Sequence, residues 1–338
     1  MERPGDLGIS EEVAEIRRSW AAREPVVVET SGTLGERRWV EHGPESVEAS
    51  CRAVSRALAV DPDRDRWLAC IPVRFVAGRA VMLRGEVTGT PVTVHGGFAP
   101  DAVGRAAGDC TLVSLVPTQL RRLLDAAAPI HRFRAVLLGG GPVPAGVVAR
   151  AADAGVTVHT TYGLTETFGG CVHDGRPLDG VSLRLDHDSG EVLVRGAVLM
   201  RGYVDDPDAT RTAFTADGWL RTGDVGRFAV DGRLEIVDRM KDLIITGGVN
   251  VSPTAVERAL QMHPALADVC VVGVPDAEWG ERVVACAVLD EGCTAPSVEE
   301  LRAFARDRLS APELPKELRI VIEIPRTASG KPLRRALR

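Results

Sequence analysis

Four short segments carry residue types suited to phosphate and nucleotide chemistry. Thr30-Ser31-Gly32-Thr33-Leu34-Gly35 follows an apolar run. Small hydroxyl residues and glycines let backbone N–H groups approach an anion, and the hydroxyls add donors. Arg37 and Arg38 follow and supply positive charge. The spacing is not that of a Walker loop, and a tight polar turn is the plain structural alternative. Thr160-Thr161-Tyr162-Gly163-Leu164-Thr165-Glu166-Thr167 sets a carboxylate among hydroxyls after a predicted strand. That set suits a magnesium-bound phosphate, with Glu166 for the metal and Thr165 for a phosphate oxygen. A capped helix start would use the same residues. Arg221-Thr222-Gly223-Asp224 and Asp238-Arg239-Met240-Lys241-Asp242 place carboxylates and arginines in predicted loops between strands. Asp224 there can accept from both hydroxyls of a ribose; structural ion pairs are the alternative. Finally, Arg326-Thr327-Ala328-Ser329-Gly330-Lys331 puts one lysine after a glycine near the chain end, where a lysine is ordinarily just solvated.

These segments need a scaffold, and the pattern between them predicts one. Pro25–Glu29 reads as a short buried strand. Glu45–Val60 has Val47, Cys51, Val54 and Leu58 on one helix face. Trp67–Ile71, Pro91–His95, Thr111–Val116, Arg134–Leu138 and Val156–Thr160 read as further strands, with helical stretches such as Pro117–Ala127 between the later ones. This alternation predicts a mostly parallel sheet with helices on its faces. After about Gly180 the pattern changes to short strands, at Gly190–Gly196, Trp219–Leu220, Arg227–Val230 and Leu234–Val237. Asp217-Gly218 and Asp231-Gly232 are hairpin signals. A last unit starts near Lys241. It has predicted helices at Ser252–Met262 and Ser297–Leu309, the latter opened by a Ser297/Glu300 capping box. Its predicted strands lie near Asp268–Val274, Arg282–Leu289 and Leu318–Glu323.

Composition narrows the function classes. The chain has 338 residues, 45% hydrophobic and 26% charged, with a net charge of −6. At roughly 100–200 residues per domain, two or three domains are expected. Mild acidity without a Lys/Arg stripe excludes a dedicated nucleic-acid binder. No apolar run approaches about 18 residues, so no membrane span is expected. Met1–Ser10 has no apolar signal core, which predicts a cytoplasmic protein. The seven cysteines are irregularly spaced with no C-x-x-C, so buried thiols are expected rather than disulfides or zinc.

Taken jointly, the segments resemble the adenylate-forming superfamily of acyl-CoA ligases, luciferases and peptide-synthetase adenylation domains. The resemblance runs from Val26 to Arg338 and rests on Y-G-L-T-E-T at 162–167, W-L-R-T-G-D at 219–224 and D-R-M-K-D-L-I-I-T-G-G-V-N-V-S-P at 238–253. The short chain looks like the compact bacterial o-succinylbenzoyl-CoA ligases. Ser114–Leu120, Gly139–Pro142 and Thr165–Cys171 are similar to that subgroup. The resemblance implies a large N-terminal α/β domain over 1–240 and a small mobile α+β domain over 241–338, hinged at Lys241. It implies an AMP-forming acid–thiol ligase: acid and ATP give acyl-AMP, and acyl-AMP and CoA give acyl-CoA. Thr30, Ser31, Gly32 and Thr33 would cradle ATP phosphates. Thr165 would contact the α-phosphate and Glu166 the Mg2+. Asp224 and Arg239 would bind the ribose. Gly139, Gly140, Gly141, Tyr162 and Gly163 would line the adenine and acyl pocket, with Arg74, Phe75 and Thr118 on the acyl side. Gly247 and Gly248 would lie beside the pantetheine of CoA, and Lys331 would stabilise charge during adenylation.

Two departures from the family pattern bear on chemistry. The first loop usually reads T-S-G-[TS]-T-G-x-P-K, and here Leu34, Glu36, Arg37 and Arg38 intervene. Leu34 removes a donor and Glu36 adds negative charge beside phosphates; Arg38 replaces a lysine in charge but not in shape. The gate often reads P-L-H-H-x-A-G, and here it is Pro72-Val73-Arg74-Phe75-Val76-Ala77-Gly78. The altered loop places the adenylation half in question. Two alternatives follow: an enzyme that thioesterifies a preformed acyl adenylate made by a separate adenylating enzyme, and a non-catalytic acyl or adenylate-binding module.

Overall fold

A computed structural model of the chain describes residues 9–30, 37–326 and 332–338. In chain order the elements begin with α1 (Ile9–Ala21), β1 (Val26–Glu29), β2 (Trp39–His42), α2 (Pro44–Ala57), β3 (Trp67–Ala69), α3 (Val76–Thr88) and β4 (Val92–Val94). There follow α4 (Pro100–Ala106), β5 (Leu112–Leu115), α5 (Pro117–Asp125), β6 (Ala135–Leu138), α6 (Ala145–Asp153), β7 (Val158–Leu164), β8 (Gly169–His173) and β9 (Arg176–Pro177). Then come β10 (Val181–Leu185), β11 (Glu191–Gly196), β12 (Gly202–Tyr203), α7 (Pro207–Ala213), β13 (Leu220–Phe228) and β14 (Leu234–Arg239). The C-terminal part holds β15 (Ile244–Thr246), β16 (Val249–Val251), α8 (Pro253–Leu260), β17 (Leu266–Asp276), β18 (Gly280–Leu289), α9 (Val298–Ala305) and β19 (Glu317–Ile320).

The chain divides into a large and a small compact unit. The large one comprises Met1–Arg184, Leu193–Thr222 and Val230–Leu234; the small one comprises Leu185–Val192, Gly223–Ala229 and Glu235–Arg338. The large unit is built on a seven-stranded sheet, in the order β4-β3-β5-β6-β7-β8-β9. Its first five strands are parallel. Parallel strands flanked by helices are apolar on both faces. Accordingly β3 and β6 are buried along their whole length. Leu68, Val113, Leu115, Leu120, Leu123, Val136 and Leu138 share one core, and each fully buried leucine contributes about 1.5–3 kcal/mol. A separate three-stranded sheet runs β1-β2-β12, and a four-stranded one β10-β11-β13-β14.

The small unit's five-stranded sheet runs β16-β15-β18-β17, with β19 parallel to β18. Helices α8 and α9 share its core through Val256, Leu260, Leu301 and Ala305. The Ser297/Glu300 capping box is formed, with Ser297 Oγ accepting from the Glu300 N–H at 3.2 Å.

Two readings are corrected. Trp219–Leu220 and Arg227–Val230 are not separate strands around a loop, because β13 runs unbroken through Asp224. Thr160–Leu164 does not follow a strand but completes β7, and only Thr165–Thr167 turns, as one 3-10 turn. Among the described residues no helix is long and apolar enough to cross a membrane.

Candidate active site

In the large unit, β7 ends where the carboxylate is presented. Two glycines let its neighbours approach. A Cβ at Gly139 would lie 2.2 Å from Thr161 Oγ1, and one at Gly163 would lie 1.9 Å from the Gly169 carbonyl oxygen. The turn itself is locked by Thr167, which is fully buried. Its hydroxyl donates to the Gly169 carbonyl at 2.7 Å and accepts from the Leu164 N–H at 2.9 Å. Phe168 then adopts a left-handed φ of 51°, which reverses the chain into β8. Thr165 and Glu166 are left half-buried.

The sheet β1-β2-β12 grips this turn from outside. Tyr203 is brought there by the pairing of β12 with β2, and its phenol donates to Glu166 Oε1 at 2.8 Å. The Met200 N–H donates to the Glu166 carbonyl at 2.9 Å. At the end of β2, His42 Nε2 lies 2.7 Å from the Thr165 carbonyl oxygen. A carbonyl only accepts, so Nε2 carries the proton. His42 is fully buried and packs edge-on to Phe168, with ring centroids 5.1 Å apart.

Burial lowers the His42 pKa to about 4, against a smaller opposing effect of the Thr165 carbonyl. The unfolded chain therefore takes up a proton on this group first, near pH 6.5. The stability it contributes is complete above pH 6.5 and is lost as pH falls towards 4. At pH 5 the loss comes to about 2 kcal/mol. We expect the urea midpoint to drop between pH 7.5 and 5, and to drop less in His42→Gln. Equal drops in both proteins would show that His42 is not the group responsible.

The other expected residues fall as follows. Thr30 and Arg38 close the neck of the β1–β2 connection, where Thr30 Oγ1 accepts from the Arg38 N–H at 3.1 Å. Ser31, Gly32, Thr33 and Lys331 lie outside the described residues. Phe75 opens α3, with the Arg74 guanidinium 4.7 Å from its ring centroid. Thr118 is exposed in the first turn of α5. Gly140 has φ 81°, a left-handed value that favours glycine. In the small unit, Arg239 Nε lies 2.6 Å from Asp224 Oδ1, and Asp224 is buried in β13. Asp238 proves structural: Oδ2 accepts from Ser252 Oγ at 2.7 Å and from the Thr254 N–H at 2.9 Å, and so anchors the start of α8. Lys241 is exposed in the turn Met240–Asp242. Gly247 and Gly248, with φ of 58° and 77°, turn the β15–β16 hairpin. A Cβ at Gly247 would lie 3.0 Å from the Trp279 ring.

Glu166 fits a magnesium ion. Mg2+ keeps several waters and takes one or two carboxylates together with substrate phosphates. A single half-buried carboxylate beside Thr165 suits that mode, and no group of three or more His, Cys, Asp or Glu among the described residues is placed to hold a metal by itself.

One buried group has no counterpart among the expected residues. Arg84 lies on α3 at 5% exposure, its guanidinium carbon 5.3 Å from the Trp67 ring centroid. Its Nε and Nη1 are enclosed without a hydrogen-bond partner, as are Trp67 Nε1, Ser55 Oγ and His173 Nε2. Burial pushes the neighbouring Cys51 thiol up to about 12, so it stays neutral and supplies no counter-charge. Burial, with the Arg84 charge adding to it, lowers His173 to about 4. The signal in the sequence was an arginine within the otherwise apolar run Ala80-Val81-Met82-Leu83. His42 and Tyr203 carried no comparable signal.

Residues 21–204 match the AMP-binding enzyme family, and residues 255–331 match the AMP-binding enzyme C-terminal domain. The chain is 38% identical to the probable 2-succinylbenzoate–CoA ligase of Mycobacterium tuberculosis, over 92% of this chain and 83% of that protein. It superposes on the o-succinylbenzoate CoA synthetase of Bacillus subtilis, solved with its acyl-adenylate intermediate, with a TM-score of 0.83 and 30% identity; the match covers 92% of this chain and 68% of the other. The amide bond synthetase McbA of Marinactinospora thermotolerans is similar at a TM-score of 0.82 and 33% identity, over 93% and 68%. The chain belongs to the AMP-binding, adenylate-forming enzymes, and it is a ligase of the acyl-CoA synthetase type.

Proposed function

We propose that this enzyme joins coenzyme A to an aromatic acid that carries a second carboxylate, of the kind 2-succinylbenzoate represents. Arg84 carries the reading. A guanidinium buried without a carboxylate is costly, and its enclosed donors suit the oxygens of a bound anion. It lies on the helix that begins at the gate residue Phe75, over an indole ring and beside His173. Relatives named for 2-succinylbenzoate support the same class.

In this reading a carboxylate oxygen of the acid attacks the α-phosphorus of ATP, and the bond to pyrophosphate breaks. The CoA sulfur, having released its proton, then attacks the acyl carbonyl carbon, and AMP leaves with the electrons of the carbon–oxygen bond. Thr165 holds the α-phosphate and Glu166 the magnesium ion, which neutralises phosphate charge when bound. Asp224 and Arg239 hold the ribose, and Tyr162 and Gly139–Gly141 the adenine. Lys331 serves adenylation. Lys241 is the hinge, and Gly247 and Gly248 border the pantetheine.

The test is acyl-CoA formation from ATP, CoA and a panel of acids. 2-Succinylbenzoate is expected to exceed benzoate in kcat/KM at least about a hundredfold, or roughly 2.7 kcal/mol. Equal use of the two acids would overturn the substrate class.

A second reading, thioesterification of a preformed adenylate, is favoured by the neck of the β1–β2 connection. Arg37 Nη1 pairs with Glu29 Oε1 at 3.1 Å, and Arg38 lies over the Tyr203 ring. Both guanidinium groups after the loop are thus engaged by protein groups. Repeating the panel with synthetic adenylates separates the readings.

A further inference from the structure

We propose that Tyr203 is a positioning residue for the Glu166 carboxylate, and that Arg38, stacked on its ring, ties that carboxylate to the neck of the β1–β2 hairpin. The inference rests on the reading of Glu166 as the magnesium-binding carboxylate.

Glu166 is gripped at two points by one short segment. The Met200 N–H holds its carbonyl and the Tyr203 phenol holds its side chain, at 2.9 and 2.8 Å. That segment is itself fixed. Tyr203 and Gly202 pair with Val40 and Glu41 of β2. The Tyr203 N–H donates to Thr210 Oγ1 at 2.8 Å, and Gly202 approaches Thr210 so closely that a Cβ would lie 2.8 Å away. The phenol is therefore delivered to a set place. One carboxylate oxygen is held there, and the torsions of the glutamate side chain are restrained.

Arg38 lies over the ring, with its guanidinium carbon 5.2 Å from the ring centroid. A cation over an aromatic ring draws electron density from it, which strengthens the phenol as a donor. Arg38 also closes the hairpin neck, where its carbonyl accepts from the Thr30 N–H at 2.8 Å. A chain of three contacts thus runs from hairpin neck to guanidinium, ring and carboxylate. A flat guanidinium stacks in this way, and a lysine ammonium acts only as a point charge. Arg38 stands where the loop motif of the resembled family carries lysine.

Mg2+ accepts only near-octahedral geometry at about 2.0–2.1 Å, so the orientation of its carboxylate matters. Partners one bond removed from a metal typically change its affinity about 10–100-fold. The experiment measures Mn2+ binding to the whole chain by electron paramagnetic resonance, with ATP at saturation. Tyr203→Phe keeps the ring and the stack and removes only the hydroxyl. It is expected to weaken Mn2+ binding about tenfold, while the ligand-free melting temperature falls by no more than about 4 °C. Arg38→Met is expected to weaken binding by a smaller factor, and Glu166→Gln by the largest. If Glu166→Gln weakens Mn2+ binding and Tyr203→Phe does not, the positioning role is wrong and the reading of Glu166 stands. If Glu166→Gln leaves Mn2+ binding unchanged, the reading of Glu166 is wrong and the positioning role falls with it.

Discussion

Replacing Arg84 by methionine is expected to raise the melting temperature and, in the same protein, to cut kcat/KM for 2-succinylbenzoate at least about a hundredfold. The two effects have one cause. In the ligand-free enzyme Arg84 is a charge at 5% exposure, with Nε and Nη1 unpartnered and with a neutral thiol, an indole and His173, itself held neutral by burial, beside it. An apolar side chain of similar length removes that penalty, and such replacements are neutral or stabilising by about 1–4 kcal/mol. For a chain of this size each kcal/mol corresponds to about 2–4 °C or less. With a dicarboxylic acid bound, the same substitution leaves a carboxylate facing a wall with no cation, a loss of about 2–5 kcal/mol. A monocarboxylic acid such as benzoate has nothing to lose and should react as well as before. A stability gained by removing a group that function needs is a common trade-off. If the variant is less stable and loses activity equally towards both acids, Arg84 is a structural residue and the proposed substrate class loses its support.

The second large effect concerns the loop after β1. Leu34→Thr, Glu36→Gly and Arg37→Pro together are expected to raise ATP–pyrophosphate exchange at least about a hundredfold, or roughly 2.7 kcal/mol of barrier. A single preorganised donor to developing negative charge is worth about 2.7–4 kcal/mol, and Leu34 stands where related loops place a hydroxyl. On the proposed role of this loop Glu36 would add a like charge beside the departing phosphates, and Arg37 pairs with Glu29 at 3.1 Å. Arg38 is retained in the variant, so the contact with Tyr203 persists. Use of a synthetic acyl adenylate should change little, because that reaction releases no pyrophosphate. Brisk exchange in the unaltered enzyme, with any acid of the panel, would show that the loop tolerates its substitutions.

What was legible in the sequence was whatever rests on local periodicity or on contiguous motif. Val47, Cys51, Val54 and Leu58 recur at helical spacing, and all four are buried, the first three on α2 and Leu58 at its C-cap. The apolar runs at 67, 112 and 135 became parallel strands because a strand covered on both faces is continuously apolar. The Ser297/Glu300 cap lies within one turn and needs no distant partner. The family was legible for the same reason, since its motifs are short and contiguous.

The misses share a different origin. β13 alternates Leu220, Thr222, Asp224 and Gly226 towards the protein. Three of these are polar or glycine, so the alternation carries no hydrophobic signal, and the strand read as a loop around Asp224. The polar second half of β7 was hidden in the same way. Arg84 was not singled out, because a lone arginine at the end of an apolar run is weak evidence and nothing in one helix says which side α2, β3 and β8 will cover. His42 meets Thr165 across 123 residues and Tyr203 meets Glu166 across 37. No local pattern encodes a contact of that span. The sequence by itself therefore determined the family and most of the elements, and it singled out the Glu166 carboxylate. Only the tertiary structure decided what holds that carboxylate and which charge is sealed beside the gate helix, because both depend on groups that meet only when separate sheets and helices pack.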